Sequence, residues 1–169
     1  PDTSPPKWHL GHTTWFFEYM VLLPFDGGSP FIPEASQLFN SYYEAMGSRV
    51  ARPSRGHLSR PTVQKILKYR QAITERTVAL LDRIHKNEID PDLVERIEIG
   101  IQHEQQHQEL LLTDIKHLLW QNYPAPVYRP GAPSDASRPG SAEVSFTSFG
   151  GGLNEFGAPD SGFSYDNER

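Results

Sequence analysis

The residues best placed for chemistry are two histidines four positions apart, His103 and His107. On a helix this spacing puts both imidazoles on one face of successive turns, where two ring nitrogens can bind one metal ion. The pair lies in a run of eight polar residues, 102–109, with apolar residues before and after it. A helix that buries one side must turn several of these residues inward, where polar groups need partners. The pattern therefore favours a metal site over surface or hydrogen-bonded core histidines.

His12 is the best candidate for a third ligand. It shares a helical face with Trp8, Trp15 and Tyr19, where an apolar residue would otherwise be expected, whereas His9 lies about a hundred degrees away. The alternative for His12 is a core histidine that donates to a carbonyl group. Three neutral imidazoles suit Fe(II), Zn(II), Ni(II) or Cu(II), and they leave positions open for substrate or dioxygen. Such a site resembles catalytic metal sites, because structural zinc sites fill all four positions with protein ligands.

The same run reads His-Glu-x-x-His, which is the zinc-protease signature with Glu104 as the general base. One protease subclass requires Gly and His where this chain has Leu110 and Thr113. Another subclass uses a downstream Glu as a ligand, and Asp114 is the only acid between Glu109 and the proline-rich stretch. We therefore disfavour a protease.

Three long helices are expected to position these residues. Apolar spacing predicts helices over 5–23, over 61–85 and, after an Asp-Pro start, over 90–121. A shorter helix is predicted over 36–46. Long antiparallel helices with a short joint imply an all-α bundle.

The orientation of the last helix is predicted from its isoleucines. A wheel phased on them turns Glu104 and Gln108 toward the bundle axis more directly than His103. The histidine pair is therefore expected to face one neighbouring helix.

A basic loop lies between the second and third predicted helices. It spans 48–60 and contains four arginines and no acid, in a chain of net charge −5. Because a guanidinium group offers a planar two-donor fork, the loop is a candidate carboxylate site, and a solvated loop is the alternative. The arginines are Arg49, Arg52, Arg55 and Arg60.

Composition excludes several classes of protein. The 169 residues include no cysteine, so disulfides and thiolate ligands are excluded. The negative net charge argues against a nucleic-acid partner. No stretch approaches the ~20 apolar residues of a membrane span, and the N-terminus does not resemble a signal peptide. We expect a cytoplasmic protein with no membrane partner.

Domain boundaries follow from changes in composition. We predict a helical domain over 1–123, a proline-rich linker over 124–142 and the start of a second, non-helical domain over 143–169. Alternation over 144–149 predicts a short strand. Because an up-down bundle has four long helices, we expect the first one before Pro1 and the body of the second domain after the last residue.

Several separated blocks carry a family resemblance. With x for positions outside the resemblance, they are SPxKWHLxHTTWFFE (4–18), LFNSYY (38–43), RGxLSRPTV (55–63), HEQQHQEL (103–110), FGGG (149–152) and FSYDNE (163–168). The first four resemble the N-terminal half of the ergothioneine-biosynthesis sulfoxide synthases, the EgtB family. The last two resemble the opening of the mixed α+β, formylglycine-generating-enzyme-like (FGE-sulfatase) domain that follows the helical domain in that family.

The resemblance implies a DinB-like four-helix bundle that holds a mononuclear non-haem Fe(II). The metal ligands carried over by motif are His12, His103 and His107. The implied reaction is the oxygen-dependent joining of a thiol, γ-glutamylcysteine or cysteine, to the imidazole C2 of Nα-trimethylhistidine, with oxidation of the sulfur to a sulfoxide.

The resemblance also implies substrate-binding residues. Gln106 matches the position near the substrate imidazole, and Arg52 and Arg55 resemble the segment that holds the carboxylates of the thiol donor. The catalytic tyrosine of the family would lie after Arg169, so no catalytic residue is assigned, and the 169 residues alone are not expected to turn over. Two other functions stay open, a DinB-like metal-dependent thiol transferase that needs no dioxygen and a non-catalytic metal-binding module.

Overall fold

The computed structural model describes residues 3–41, 48–84, 90–131, 145–159, 161–165 and 168. The chain divides into two compact units, Pro1–Pro126 and Val127–Arg169. In the described residues of the first unit, the regular structure is helical, as predicted, and this unit carries the histidines.

The first helical segment has three parts. Helix α1 spans Pro6–Phe16 and starts with proline in its first turn, where a missing N–H costs no hydrogen bond. It continues as a π-helix over Phe17–Leu22 and a last turn over Leu23–Phe25. The π-helical part, in which the N–H of Leu23 reaches back five residues to the carbonyl of Glu18, was not predicted. The predicted helix over this segment is confirmed.

The second helix, α2, is shorter than predicted. It spans Ala35–Phe39 and ends because the backbone of Asn40 is extended. The prediction of a helix over 36–46 is therefore wrong at its middle, and 42–47 lie outside the described residues. The carbonyl group of the last residue of α2 accepts a hydrogen bond from the side chain of His12 instead of from a further helical turn.

The two remaining long helices are confirmed. Helix α3 spans Val63–Ile84 and helix α4 spans Pro91–Trp120. The Asp90 side chain caps α4 by accepting a hydrogen bond from the N–H of Asp92 at 2.9 Å. Both helices pack against α1 and its π-helical continuation.

The inward face of α4 differs from the one predicted. Ile101 is 49% exposed and Gln108 is exposed, so the wheel phased on isoleucines is wrong. The buried positions recur every seven residues, which is two helical turns, and they are Leu93, Gly100, His107 and Asp114.

Two glycines allow close approach around α1. A Cβ atom on Gly11 would lie 2.3 Å from the ring of Phe39 in α2, and one on Gly100 would lie 2.8 Å from the ring of Phe17. Because both distances are below any real contact, the packing of α2 and α4 on the first helical segment requires glycine at these positions.

The second unit shows no strand in its described residues. The strand predicted over 144–149 is wrong for 145–149, which are irregular and exposed. A strand needs a partner to pair with, and the described part of this unit contains none. The Phe146 and Phe149 side chains are 95% and 88% exposed. Across the described residues, no helix combines the length and apolar character that crossing a bilayer requires.

Candidate metal centre

Three histidines from two helices converge in the helical unit. Helix α1 contributes His12, and α4 contributes His103 and His107 from successive turns. One ring nitrogen of each lies within 4.8 Å of the other two. The Nε2 atoms of His12 and His103 are 3.1 Å apart. Because His12 is 2% and His107 is 8% exposed, the cluster is largely closed to bulk water.

The His12 ring is held by its backbone and aromatic neighbours. Its Nδ1–H donates to the carbonyl oxygen of Phe39 at 2.5 Å, since a carbonyl oxygen can only accept. The ring stacks on the indoles of Trp8 and Trp15, at centroid distances of 4.6 and 5.7 Å. The neutral ring therefore keeps its lone pair on Nε2, which faces His103. His12 therefore combines the two alternatives predicted for it. It donates to a carbonyl group, as a core histidine does, and its other ring nitrogen has the lone pair that a metal ligand needs.

The His107 ring contacts His9, for which no role was predicted from the sequence. Its Nδ1 atom lies 2.9 Å from Nδ1 of His9, and Nε2 of His9 lies 2.9 Å from Oδ2 of Asp114. All three side chains are buried. The same carboxylate oxygen accepts a hydrogen bond from the main-chain N–H of Ser4 at 2.9 Å. His9 and Asp114 therefore belong to the surroundings of the cluster.

Sequence spacing contains a signal for both missed residues. His9 precedes His12 by three residues, which places it on the adjacent side of α1, and Asp114 follows His107 by seven, which returns to the same side of α4. The angle that separates His9 from the aromatic face turns its ring toward α4, where it meets His107 and Asp114.

His103 has the fewest orienting contacts of the three. Its ring packs against Phe16 at a centroid distance of 4.6 Å. Its buried Nδ1 atom has no hydrogen-bond partner in the part of the chain that the structure describes. The hydrogen bonding of the cluster is therefore incomplete, and a buried polar atom without a partner costs about 1–3 kcal/mol of stability.

The carboxylate of Glu104 is held in an ion pair. Both of its oxygens accept hydrogen bonds from the guanidinium of Arg70, each at 2.9 Å. The same guanidinium also donates to the hydroxyl of Thr13 at 2.8 Å. A general base needs a free lone pair near the ion, and this bidentate pairing with α3 argues against the protease role considered for Glu104.

Burial lowers the pKa of each clustered imidazole. The pKa of His103 falls to about 4 and that of His107 to about 3, with burial as the main cause. Burial also lowers the pKa of His12 well below 6.5, followed by the effect of the neighbouring histidines. The charge of Arg55 lowers the pKa of His12 and His107 further. The three rings are therefore neutral at neutral pH, and their lone pairs are available to an ion.

The residues present fit a divalent transition metal. Two nitrogens bound to one ion at about 2.1 Å lie about 3.0–3.4 Å apart when they subtend between a right angle and a tetrahedral angle. The 3.1 Å separation between Nε2 of His12 and Nε2 of His103 lies in this range, which a hydrogen bond between the two rings also satisfies, and the ligand nitrogens of all three rings lie within 4.8 Å of one another. Neutral imidazoles suit several metals, including Fe(II) and Zn(II), so the donor set does not select one.

The two arginines of the basic loop that were predicted to bind substrate, Arg52 and Arg55, differ in burial. Arg55 is buried, with its guanidinium 3.5 Å from the ring centroid of Trp8 and a hydrogen bond to the hydroxyl of Ser4 at 3.0 Å. The side chain of Arg52 is 51% exposed, and its Nη2 atom lies 3.5 Å from Oδ1 of Asp114. Arg55 is thus built into the helical unit, whereas Arg52 keeps an exposed guanidinium beside it.

A cavity of about 240 Å³ lies beside this loop. It is lined by Ser41, Arg49, Val50, Ala51, Arg52 and Arg55.

Gln106 is exposed on α4, and the structure does not bring it into the histidine cluster. Its predicted contact with substrate stays a prediction.

The chain matches the model of a known protein family. The model of the DinB superfamily matches residues 1–111, a stretch that includes all three clustered histidines. A search of curated proteins finds no match.

Proposed function

The chain belongs to the DinB superfamily, and from this premise we propose that it contains the helical domain of an oxygen-dependent sulfoxide synthase of the EgtB type. In this proposal His12, His103 and His107 hold a non-haem Fe(II) ion. The observation that carries the proposal is the convergence of three neutral imidazoles from α1 and α4. The ordered sequence blocks that resemble the EgtB family support the finer assignment.

The proposed reaction joins a thiol to an imidazole. A thiol R–SH, either γ-glutamylcysteine or cysteine, and the C2–H of Nα-trimethylhistidine react with O₂ to give the C2–S(=O)–R sulfoxide and one water. The S–H and C2–H bonds break and the C–S and S–O bonds form. This removes four electrons from the two substrates, and O₂ accepts all four.

The metal, when bound, supplies positions where thiolate and dioxygen can bind together and exchange electrons. The residues of this chain hold the site in shape. The indoles of Trp8 and Trp15 stack on His12 and keep water from its faces. The neutral state of all three ligands leaves their nitrogens ready to bind.

Substrate binding is assigned to the basic loop and to α4. The exposed guanidinium of Arg52 lines the loop cavity and can donate two hydrogen bonds to a carboxylate of the thiol donor. Arg55 contributes positive charge from a buried position in the same wall. We assign the amide of Gln106 to the imidazole of the second substrate, on the resemblance alone.

The second unit has a separate role in the proposal. We assign 143–169 to the start of an FGE-like domain that supplies the catalytic tyrosine, and the FGGG and FSYDNE blocks support this assignment. The proposed substrates are small molecules in the cytoplasm, and no nucleic acid or membrane takes part.

One alternative rests on the same histidine cluster. Three neutral imidazoles also suit Zn(II), and superfamily membership is equally compatible with a metal-dependent thiol transferase. Zinc has no redox chemistry, so this alternative needs no dioxygen. Full activity with zinc under anaerobic conditions would favour it. A non-catalytic metal-binding module is the outcome if the protein binds metal and turns over neither reaction.

The test has a binding part and a turnover part. Metal content is measured in the wild type and in His12→Ala and His107→Ala, with His57→Ala, an exposed histidine, as the matched control. We expect about one equivalent of iron in the wild type and the control and a sharp loss in the other two variants. Oxygen uptake is then measured with Fe(II), trimethylhistidine and each thiol, using the protein encoded by the complete reading frame. Metal in the His12→Ala variant at wild-type stoichiometry, or no product with either thiol, would contradict the proposal.

A further inference from the structure

A chain of three buried side chains leads away from the histidine cluster. It runs from His107 through His9 to Asp114, with 2.9 Å between Nδ1 of His107 and Nδ1 of His9, and 2.9 Å between Nε2 of His9 and Oδ2 of Asp114. His9 is 4% and Asp114 3% exposed. Neither belongs to the group of three that can share an ion, so their burial calls for another role.

The donor in each contact follows from the Asp114 end. A carboxylate accepts hydrogen bonds, and Asp114 already accepts from the main-chain N–H of Ser4 and from the guanidinium of Arg52. The hydrogen between His9 and Asp114 is therefore carried by Nε2 of His9. A neutral imidazole carries one hydrogen, so Nδ1 of His9 is an acceptor.

The same reasoning extends to His107. Because Nδ1 of His9 accepts, the hydrogen in the 2.9 Å contact belongs to Nδ1 of His107. The remaining nitrogen of His107, Nε2, then has its lone pair free. His12 reaches the same state by a different route, since its Nδ1–H donates to the carbonyl oxygen of Phe39. Two ligands on two helices therefore carry hydrogen on Nδ1 and present Nε2.

We propose that His9 and Asp114 are positioning residues that fix the tautomer and ring orientation of His107, so that its Nε2 atom is available to the metal ion. This inference rests on the proposed metal-binding function of the cluster. Partners of this kind raise the basicity of a ligand and prevent its ring from rotating. We call the chain of His107, His9 and Asp114 the relay. It joins α1 to α4 across 105 residues of sequence, so the packing of these helices and the alignment of the ligand are set by the same contacts.

The first test observes the tautomers directly in the metal-free wild type. Nitrogen-15 NMR of labelled histidine distinguishes a ring that carries hydrogen on Nδ1 from one that carries it on Nε2. We expect Nδ1–H for His107 and Nε2–H for His9. Nε2–H on metal-free His107 would overturn the relay. This measurement needs no variant, so it does not depend on whether a substituted protein folds.

The second test measures affinity for Co(II) alone, by competition with a chelator of known affinity. Loss of such a partner weakens metal binding about 10- to 100-fold, and we expect a loss of this size in His9→Ala with one site retained. In His9→Gln the side-chain amide can accept from His107 and donate to Asp114, so we expect partial recovery. The matched control is Thr14→Val, which removes a buried hydroxyl of α1 whose hydrogen bond goes to the carbonyl of Leu10.

The outcomes separate the two proposals. Wild-type affinity in His9→Ala, or equal affinity in His9→Ala and His9→Gln, would reduce His9 to a packing residue and overturn the relay while leaving the metal site intact. Failure of the wild type to bind Co(II) would overturn the proposed function instead, and the NMR result would then decide the tautomers on its own. Urea unfolding of each metal-free variant shows that it is folded before affinities are compared.

Discussion

Two buried polar clusters on the first helical segment differ in how completely their hydrogen bonds are formed. In the π-helical part, the carboxylate of Glu18 is 0% exposed, and its two oxygens accept from the hydroxyl of Tyr69 at 2.5 Å and the N–H of Phe31 at 2.7 Å. Between α1 and α4, the ring nitrogens of His12 and His103 face each other, and Nδ1 of His103 has no partner among the described residues.

The difference separates a structural cluster from a binding cluster. Burial, and then the contact with Glu18, raises the pKa of Tyr69, so its phenol stays protonated and remains a donor. The Glu18 cluster thus has a donor for each acceptor and needs no further group. In the histidine cluster a hydrogen bond between Nε2 of His103 and Nε2 of His12 still leaves Nδ1 of His103 without a partner among the described residues, so its hydrogen bonds are incomplete where a metal ion could bind.

The largest effect is expected from adding and removing metal. A free metal concentration of 100 times the dissociation constant should raise the free energy of unfolding by about 2.7 kcal/mol, because only the folded state has the site. Urea unfolding with Co(II) or with a chelator measures this difference. His12→Ala should abolish it, whereas Glu18→Gln should retain it. Equal stabilisation of His12→Ala and the wild type would show that the ion binds elsewhere.

The second effect is the loss of stability in Glu18→Gln. With Gln at this position the amide nitrogen can donate to the Tyr69 hydroxyl and the amide oxygen can accept from the Phe31 N–H, so two charge-assisted hydrogen bonds are replaced by weaker neutral ones. We expect the free energy of unfolding to fall by about 2 kcal/mol, measured in urea without metal. Co(II) affinity of the folded variant should not change. A fall in affinity without a fall in stability would contradict the structural role of Glu18.

Local features of the fold could be predicted from the sequence. The helices now seen as α1, α3 and α4 follow from apolar spacing, and the Asp90 cap follows from the Asp-Pro start, because each depends on residues within a few turns. The pairing of His103 and His107 on one face is equally local. Their convergence with His12 was inferred from an out-of-place polar residue on an aromatic face.

Features that depend on distant contacts were missed. The phase of α4 was predicted from isoleucines, whereas Gly100, which carries no weight on a hydrophobic wheel, lies on the inward face because Phe17 packs against it. The end of α2 depends on His12 taking the carbonyl of Phe39. Spacing relates His9 to His12 and Asp114 to His107 on their own helices, but the contact of His9 with Asp114 depends on how α1 packs against α4.

A third prediction tests how the histidine cluster depends on α2. In Gly11→Ala the new methyl group would meet the ring of Phe39, whose carbonyl orients His12. Overpacking costs about 1–3 kcal/mol and the gain in helix propensity returns up to about 1 kcal/mol, so we expect a net loss of about 1 kcal/mol. We also expect weaker Co(II) binding.

The control for this variant is Gly56→Ala, where a Cβ atom meets nothing within 4 Å. It should leave Co(II) affinity unchanged. If Gly11→Ala lost stability but bound Co(II) as the wild type does, the carbonyl of Phe39 would not be needed to orient His12, and the link between α2 and the cluster would be refuted.

The smallest effect is expected at the ion pair that borders the histidine cluster. Glu104 is next to His103 in sequence, yet its two oxygens are fully engaged by Arg70, so this pair resembles the Glu18 cluster in having its hydrogen bonds formed. The two side chains are 24% and 33% exposed, and solvent screens their attraction. Glu104→Gln should therefore lower the free energy of unfolding by less than about 1 kcal/mol and leave Co(II) affinity and oxygen uptake near wild type. A loss of turnover with normal metal content would instead place the Glu104 carboxylate in the reaction, as in the protease signature. In that case, a side chain whose hydrogen bonds are all formed could still react, and incomplete hydrogen bonding would no longer identify the reacting groups.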